Sequence, residues 1–359
     1  MAGDTYTIAL LGDTSFGENY QIEYAAAGGL NVLDDRGYAH SLACFKAFLH
    51  DSNLAIANLE TPLTDLEHSP LHGKKEYVHW SDVEKAPRAL LEHNLRVMSL
   101  ANNHTLDYGH EGLRQTREAL VRNGITFFGA GLEAEEADRP FTRTLSIGGQ
   151  SLNLAVFGAF EVRRKYLFDY SFYAEADAPG VSRLKAPGLP RRIEQLKRDD
   201  ANAFVIVFPH WGYNYFWRTQ KQTRLAHELI DAGADLIVGH GAHMLGEIER
   251  YGGAWIVYSL GNFVFNSEGD YARAGAHPYS LVARMTLSTA SGGPSRSLRL
   301  YPILSDNTLT QYQPRFVTPA EFEAVMALLV EHSPEGERLR DQAITGRDDA
   351  GLYLELALS

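Results

Sequence analysis

Cysteine is almost absent: Cys44 is the single one in 359 residues, which excludes an internal disulfide and a thiolate metal cage, since each needs at least two. In SLACFKAFLH it reads as a small core residue. Long apolar runs are missing as well. None approaches the roughly 18 residues of a bilayer-spanning helix, and MAGDTYTIALLGD carries no basic stretch or small-residue cleavage site. These absences lead us to expect no signal peptide, no membrane partner and a cytoplasmic location. Basic charge is in deficit, with 33 Lys and Arg against 45 Asp and Glu, a formal charge of −12 and a pI near 5.6. That balance argues against a nucleic-acid partner gripped through its phosphates. There is no GxxxxGK[ST] loop, GxGxxG turn, GxSxG elbow or HExxH helix, so nucleotide-driven and serine-hydrolase chemistries lose support.

What remains is ordinary globular material, 45% hydrophobic and 22% charged, in short apolar runs separated by helical stretches. Strands are expected at TIALLGD, LAIANLE, RVMSLANNH, ITFFGAG, LNLAVFGAF, AFVIVFPHWG, DLIVGHGAH and AWIVYSLGNF, largely parallel and buried. Helices are expected at GLRQTREALVRNG and RTQKQTRLAHELIDAG, closing at Gly124 and Gly233. The fold class is α/β, and the strand pattern alone permits a single sheet. We divide the chain into a catalytic domain over 1–270, with an aromatic, basic and Pro/Gly-rich excursion at about 161–192, and strands and a helix over 271–359 that complete the same domain.

Polar residues fall where apolar runs end. Asp13 follows IALLG, Asn58 and Glu60 follow LAIA, and Asn102, Asn103 and His104 follow VMSLA. His210 follows VIVFP, and His240 and His243 follow LIVG. Ligand sites in open α/β sheets gather outside the carboxyl ends of strands, so five such ends predict one shared cluster. Imidazole with carboxylate and amide oxygen suits a divalent transition metal, Mn, Zn or Fe, better than Ca or Mg. One or two ions sharing a carboxylate would lower the pKa of a bound water. A histidine outside the ligand set would move a proton.

The motifs GDTSFG, NLETPLT (58–64), SLANNHTLDYG (99–109), GAG (129–131), HWG (210–212), DAGADLIVGHGAH (231–243) and YSLGNFVF (258–265) stand in the order of the bacterial capsule-synthesis (CapA, poly-gamma-glutamate) family. The sequence resembles that family over roughly 6–266. The resemblance implies a branch of the calcineurin-like metallophosphoesterases, hence a four-layer α/β/β/α sandwich with a C-terminal extension. By motif position it implies Asp13, Glu60, Asn103, His210, His240 and His243 as metal ligands. Asp13, His104 and His210 would be the catalytic residues, with His104 as proton donor or oxyanion stabiliser. Some positions depart from the family. Ser15 stands where a metallophosphoesterase D-x-H would place histidine, and Glu18 replaces the usual arginine. Asn214 replaces an acid, and GHGAH replaces GHHPH. One ion, two ions or none therefore remain open.

Three functions follow as expectations. The first is a metal-dependent hydrolase of a phosphoester or a gamma-glutamyl amide. The second is a metal-independent Asp/His acid–base enzyme acting on a peptide, like an epimerase. The third is a non-catalytic component that binds poly-gamma-glutamate. The substrate would be a small molecule, a peptide or that polymer. Lys75, Tyr77 and Arg163, from basic-aromatic stretches, and Ser259 and Asn262, from YSLGNF, are the candidate substrate contacts.

Overall fold

The structure is a computed structural model and describes residues 4–289, 295–334 and 336–358. Its layering follows from period-two alternation. In the strand Thr5–Ser15 (β1), Ile8 and Leu10 face one side and Ala9 and Leu11 the other, and all four are at 0% exposure. A strand with no wet face must sit between two layers. The other strands, in chain order, are Leu54–Leu59 (β2), Val97–Ser99 (β3), Thr126–Phe128 (β4), Phe141–Ile147 (β5), Gln150–Glu161 (β6), Phe204–His210 (β7) and Leu236–Val238 (β8). Ile248–Tyr251 (β9), Ala254–Val257 (β10), Asn262–Phe265 (β11), Tyr279–Ser288 (β12), Ser295–Leu304 (β13), Ile344–Arg347 (β14) and Leu352–Leu358 (β15) complete them, two-residue strands aside.

Two sheets form rather than one. The first runs β14-β15-β13-β12-β1-β2-β3-β4, with β11 alongside the end of β1, and the second runs β9-β10-β8-β7-β6-β5. The chain from β1 to β4 and the set β6, β7, β8 and β10 are parallel, whereas β12, β5 and β9 pair antiparallel with their neighbours. Ile8, Leu10 and Ile56 of the first sheet pack on Val156, Ile206 and Val238 of the second. The outer face of the first sheet, with Ala9, Leu11 and Ala57, is covered by Leu90 of helix Lys85–Glu92 and Leu113 of helix Gly109–Arg122. Ala155, Val205 and Ile237 of the second sheet are covered by Ile193 of helix Gly188–Asp199 and Leu229 of helix Gln220–Asp231. The order is α/β/β/α. Gly124 and Gly233 follow two of these helices at φ +68° and +110°, conformations that suit glycine.

Three sequence expectations need correction. The run AWIVYSLGNF is two strands: β10 lies in the second sheet, β11 in the first, and Tyr258–Gly261 crosses between them. An apolar run carries no mark of which sheet each half will join. Cys44 is exposed, because the three-residue repeat of the 3-10 turn His40–Phe45 turns Leu42 and Phe45 inward and leaves Cys44 outside. The stretch 161–192 is less of an excursion than its composition suggests: Phe172 and Tyr173 pack into the core outside the first sheet. Among the described residues, no helix is long and apolar enough to cross a membrane.

Candidate metal centre and its cavity

The parallel strands of both sheets deliver their carboxyl ends to one place. β1 is irregular between Leu11 and Asp13, and that bulge turns Asp13 out of the pleat. Gly12 makes the turn possible. A Cβ there would lie 1.9 Å from the Gly261 carbonyl oxygen, which accepts the Asp13 N–H at 2.9 Å. Asn58, opposite Asp13 in β2, donates Nδ2–H to Asp13 Oδ1 at 2.9 Å. Asn102 in turn donates to Asn58 Oδ1 at 3.0 Å and to the Leu59 carbonyl at 2.8 Å. Its own Oδ1 accepts the His104 N–H at 3.0 Å and so holds the turn after β3. In the second sheet His210 and His240 form a parallel bridge that sets their rings side by side.

Two groups of possible ligands share one carboxylate: Asp13, His210 and His240, and Asp13, Glu60 and His243, all buried. His240 Nδ1 lies 3.1 Å and His210 Nδ1 3.7 Å from Asp13 Oδ1, and the two nitrogens are 3.1 Å apart. Ligands placed ~2.0–2.2 Å from a transition metal sit about 3.0–3.5 Å from one another, so this spacing suits a cation. On the other side, His243 Nδ1 is 3.5 Å from Asp13 Oδ2, and His243 Nε2 is 4.0 Å from Glu60 Oε1. Glu60 Oε1 and Asn103 Oδ1 are buried without any hydrogen-bond partner. Orphaned buried acceptors are costly, and a divalent ion is the partner this donor set fits.

The electrostatics agree. Burial and the neighbouring Asp13 carboxylate drive Glu60 well above the usual carboxylate range. Burial also opposes ionisation of Asp13, but its hydrogen bond with His240 and the surrounding imidazoles hold it below its ordinary value. Burial pushes the His210 and His104 imidazoles well below theirs, which leaves them neutral and able to act as ligand or base. Gly241, a departure noted in the sequence, has φ +103°, and its N–H donates to Asp13 Oδ2 at 3.0 Å. A Cβ there would press on the His210 ring at 3.0 Å.

Behind the ligands lies a network that the residue pattern does not announce. Asp107 Oδ2 accepts His104 Nδ1–H at 2.6 Å and the His79 backbone N–H at 2.7 Å. His79 stacks on His104 with centroids 3.5 Å apart, donates Nδ1–H to the Glu60 carbonyl at 3.2 Å and accepts the Tyr20 hydroxyl at 2.8 Å. Lys75, expected to touch substrate, is buried instead. Its ammonium donates to Asp107 and to the Asn103 carbonyl at 2.6 Å, and the protonated His104 Nδ1 stands 3.1 Å away. Once the 70–80 loop folds over the site, the Lys75 ammonium supplies Asp107 with a counter-charge.

The other expected substrate contacts divide. Tyr77 lines a cavity of about 450 Å3 whose floor includes His79, His104 and His243. Arg163 is drawn to the Gly212 carbonyl and to Glu161, 3.6 Å away. Ser259 Oγ donates to the Met244 carbonyl at 2.8 Å and accepts the Gly261 N–H at 3.0 Å, so it holds the crossing loop. Asn262 Oδ1 accepts His243 Nδ1–H at 2.8 Å, and Asn262 therefore orients a ligand. Asn58 and Asn102 were read among the polar strand ends but not as ligands, and His79 and Asp107 were not singled out from sequence. For the last two, the Asp107 spacing, three residues after His104, was the available signal.

Fold and site together define a two-sheet α/β/β/α protein with a buried carboxylate–imidazole centre at the carboxyl ends of its parallel strands. The chain belongs to the family described as bacterial capsule synthesis protein PGA_cap, which it matches over residues 7–267. It is 31% identical over 239 residues to the PGA biosynthesis protein CapA of Bacillus subtilis, covering 66% of this chain and 59% of that protein. It is 28% identical over 269 residues to the capsule biosynthesis protein CapA of Bacillus anthracis, covering 72% and 60%. The chain thus spans about three fifths of the length of these relatives. Among solved structures it is similar to a novel phosphatase from Mycoplasma pneumoniae, with a TM-score of 0.45 and 13% identity over 87% of this chain and 98% of that one.

Proposed function

We propose that this protein is a metal-dependent hydrolase acting on a phosphoester or on an amide of the gamma-glutamyl type. The observation that carries the reading is Asp13, whose two carboxylate oxygens face two different sets of buried imidazole and carboxylate ligands. One ion would be held by Asp13, His210 and His240, and a second by Asp13, Glu60 and His243 with Asn103 Oδ1 as a further donor. Bound there, a divalent ion supplies an acidified water and polarises the scissile group.

The chain's own residues do the rest. Asp107 keeps the His104 proton on Nδ1, so Nε2 faces the cavity and is the atom that exchanges a proton with the leaving group. Lys75 keeps Asp107 in place and charged. Asn58 and the Gly241 N–H fix the angle of Asp13. The polymer-assembly reading has less support, because Lys75 and Arg163 already have partners within the fold.

The test is elemental analysis of protein purified without chelator, followed by assay on bis-p-nitrophenyl phosphate and gamma-glutamyl p-nitroanilide before and after chelation. Near-stoichiometric metal, with activity abolished by chelator and by Asp13→Ala, supports the reading. Full activity after complete metal removal sinks it.

A further inference from the structure

The cavity in front of the candidate centre has a charge that an anionic polymer would not choose. Its carboxylates are Glu23, Glu268 and Asp270, and its one guanidinium, Arg273, is tied to Asp270 and to the Tyr77 hydroxyl. Among the described residues, neither Glu23 nor Glu268 has an ion-pair partner. Both line the cavity together with tyrosines. Tyr20 and Tyr24 share the short helix Glu18–Ala26 with Glu23, and Tyr312 lies within electrostatic reach of Glu268. The neighbouring lysines do not fill these faces, since Lys75 lies over Tyr166 and Phe172 and Lys85 over Tyr38. Tyr24, Glu268 and Tyr312 also line a second cavity of about 460 Å3 that continues the first, and the arginine there, Arg36, stands 3.4 Å from Asp35.

An independent observation ties this region to a ligand. His104 is 4% exposed, lines the floor of the first cavity and has its Nδ1 taken by Asp107. Its Nε2 makes no hydrogen bond, the nearest carboxylate oxygen being Glu60 Oε1 at 3.9 Å. A proton-handling nitrogen therefore opens onto a space walled by tyrosine rings and unpaired carboxylates. Ring faces and carboxylates both attract a cation, and a quaternary or primary ammonium satisfies both together.

We infer that the substrate is cationic on the side away from the scissile bond, with an ammonium group seated between Tyr24, Tyr312, Glu23 and Glu268 while the phosphoryl or acyl group faces His104. The inference rests on the hydrolase reading for the reacting end only. It excludes a purely anionic gamma-glutamyl chain as the preferred ligand of this cavity, because bare carboxylates would meet Glu23 and Glu268.

The experiment compares isosteres. Phosphocholine and its uncharged carbon analogue, 3,3-dimethylbutyl phosphate, are titrated calorimetrically into the manganese-loaded protein, and their p-nitrophenyl esters are assayed for turnover. The expected result is about tenfold tighter binding of the cationic ligand, lost in the Glu23→Gln/Glu268→Gln double variant, which binds 3,3-dimethylbutyl phosphate at least as well as the parent does. Equal or tighter binding of the uncharged analogue by the parent protein overturns the inference. A binding preference without turnover of either ester keeps the cation subsite and removes the hydrolase reading. Turnover without a preference does the reverse.

Discussion

Asn262 Oδ1 lies 2.8 Å from His243 Nδ1, and this contact decides which nitrogen His243 offers to the centre. With the proton held on Nδ1, the Nε2 lone pair points toward Glu60 Oε1, 4.0 Å away. Asn262 itself is fixed by the Tyr271 hydroxyl, 3.2 Å from its Nδ2. Replacing Asn262 with Leu frees the ring to adopt the other tautomer, and metal affinity at the Asp13–Glu60–His243 site should fall by about 10–100-fold. Competitive titration with a chromogenic chelator measures this, and an unchanged affinity would show that the ring is held by packing alone.

Asp107 does the same for His104, with a lysine behind it. Asp107→Asn keeps the shape but can donate to Nδ1, which reverses the tautomer and leaves Nε2 protonated in the resting state. The expected fall in kcat is about 10²–10⁴-fold with metal content unchanged. Loss of metal together with activity would show that Asp107 supports the ligands rather than the proton.

Gly12 is the narrowest point under the site. Gly12→Ala must displace the Gly261 carbonyl, since the new Cβ would lie 1.9 Å from its oxygen. Overpacking of this kind costs about 1–3 kcal/mol. The displaced carbonyl is also the acceptor for the Asp13 N–H. Urea unfolding and metal analysis should therefore register both a lower midpoint and weaker metal retention. A variant with parental values for both would mean that the bulge does not position Asp13.

Glu18 gives a pH dependence. Its carboxyl is buried against Ser81, the Asp82 N–H and the Tyr38 hydroxyl, and burial outweighs those bonds to raise its pKa from 4.5 to about 7. Between those two values the unfolded chain has lost this proton and the folded chain keeps it. Stability therefore falls as pH rises through the window and levels off above it. The contribution is on the order of 3 kcal/mol. Glu18→Gln removes the titration, so its stability relative to the parent should improve from pH 4.5 to pH 8. A constant difference across that range would refute the assignment.

The residues that most shape these expectations differ in how far sequence reveals them. Asp13, Glu60, His104, His210, His240 and His243 each follow an apolar run, and that position alone implies a strand end. Lys75 carried the opposite signal: a Lys-Lys pair beside a tyrosine reads as a solvated grip, yet one of the two is buried on Asp107. His79 stood without any pattern, and Asn262 read as a substrate contact, because the partners that show their roles, the Glu60 carbonyl and His243, each lie 19 residues away in the chain.

Period-two burial, helix ends at glycine and polar residues closing buried strands are local properties, written in neighbouring residues, and the sequence by itself determined them. Tertiary structure alone decided that the strands divide between two sheets, that AWIVYSLGNF crosses from one to the other, and that His104 is backed by Asp107 and Lys75. The reason is physical: a side chain's charge state and tautomer are set by whatever packs against it, and here those partners arrive from segments remote in the chain.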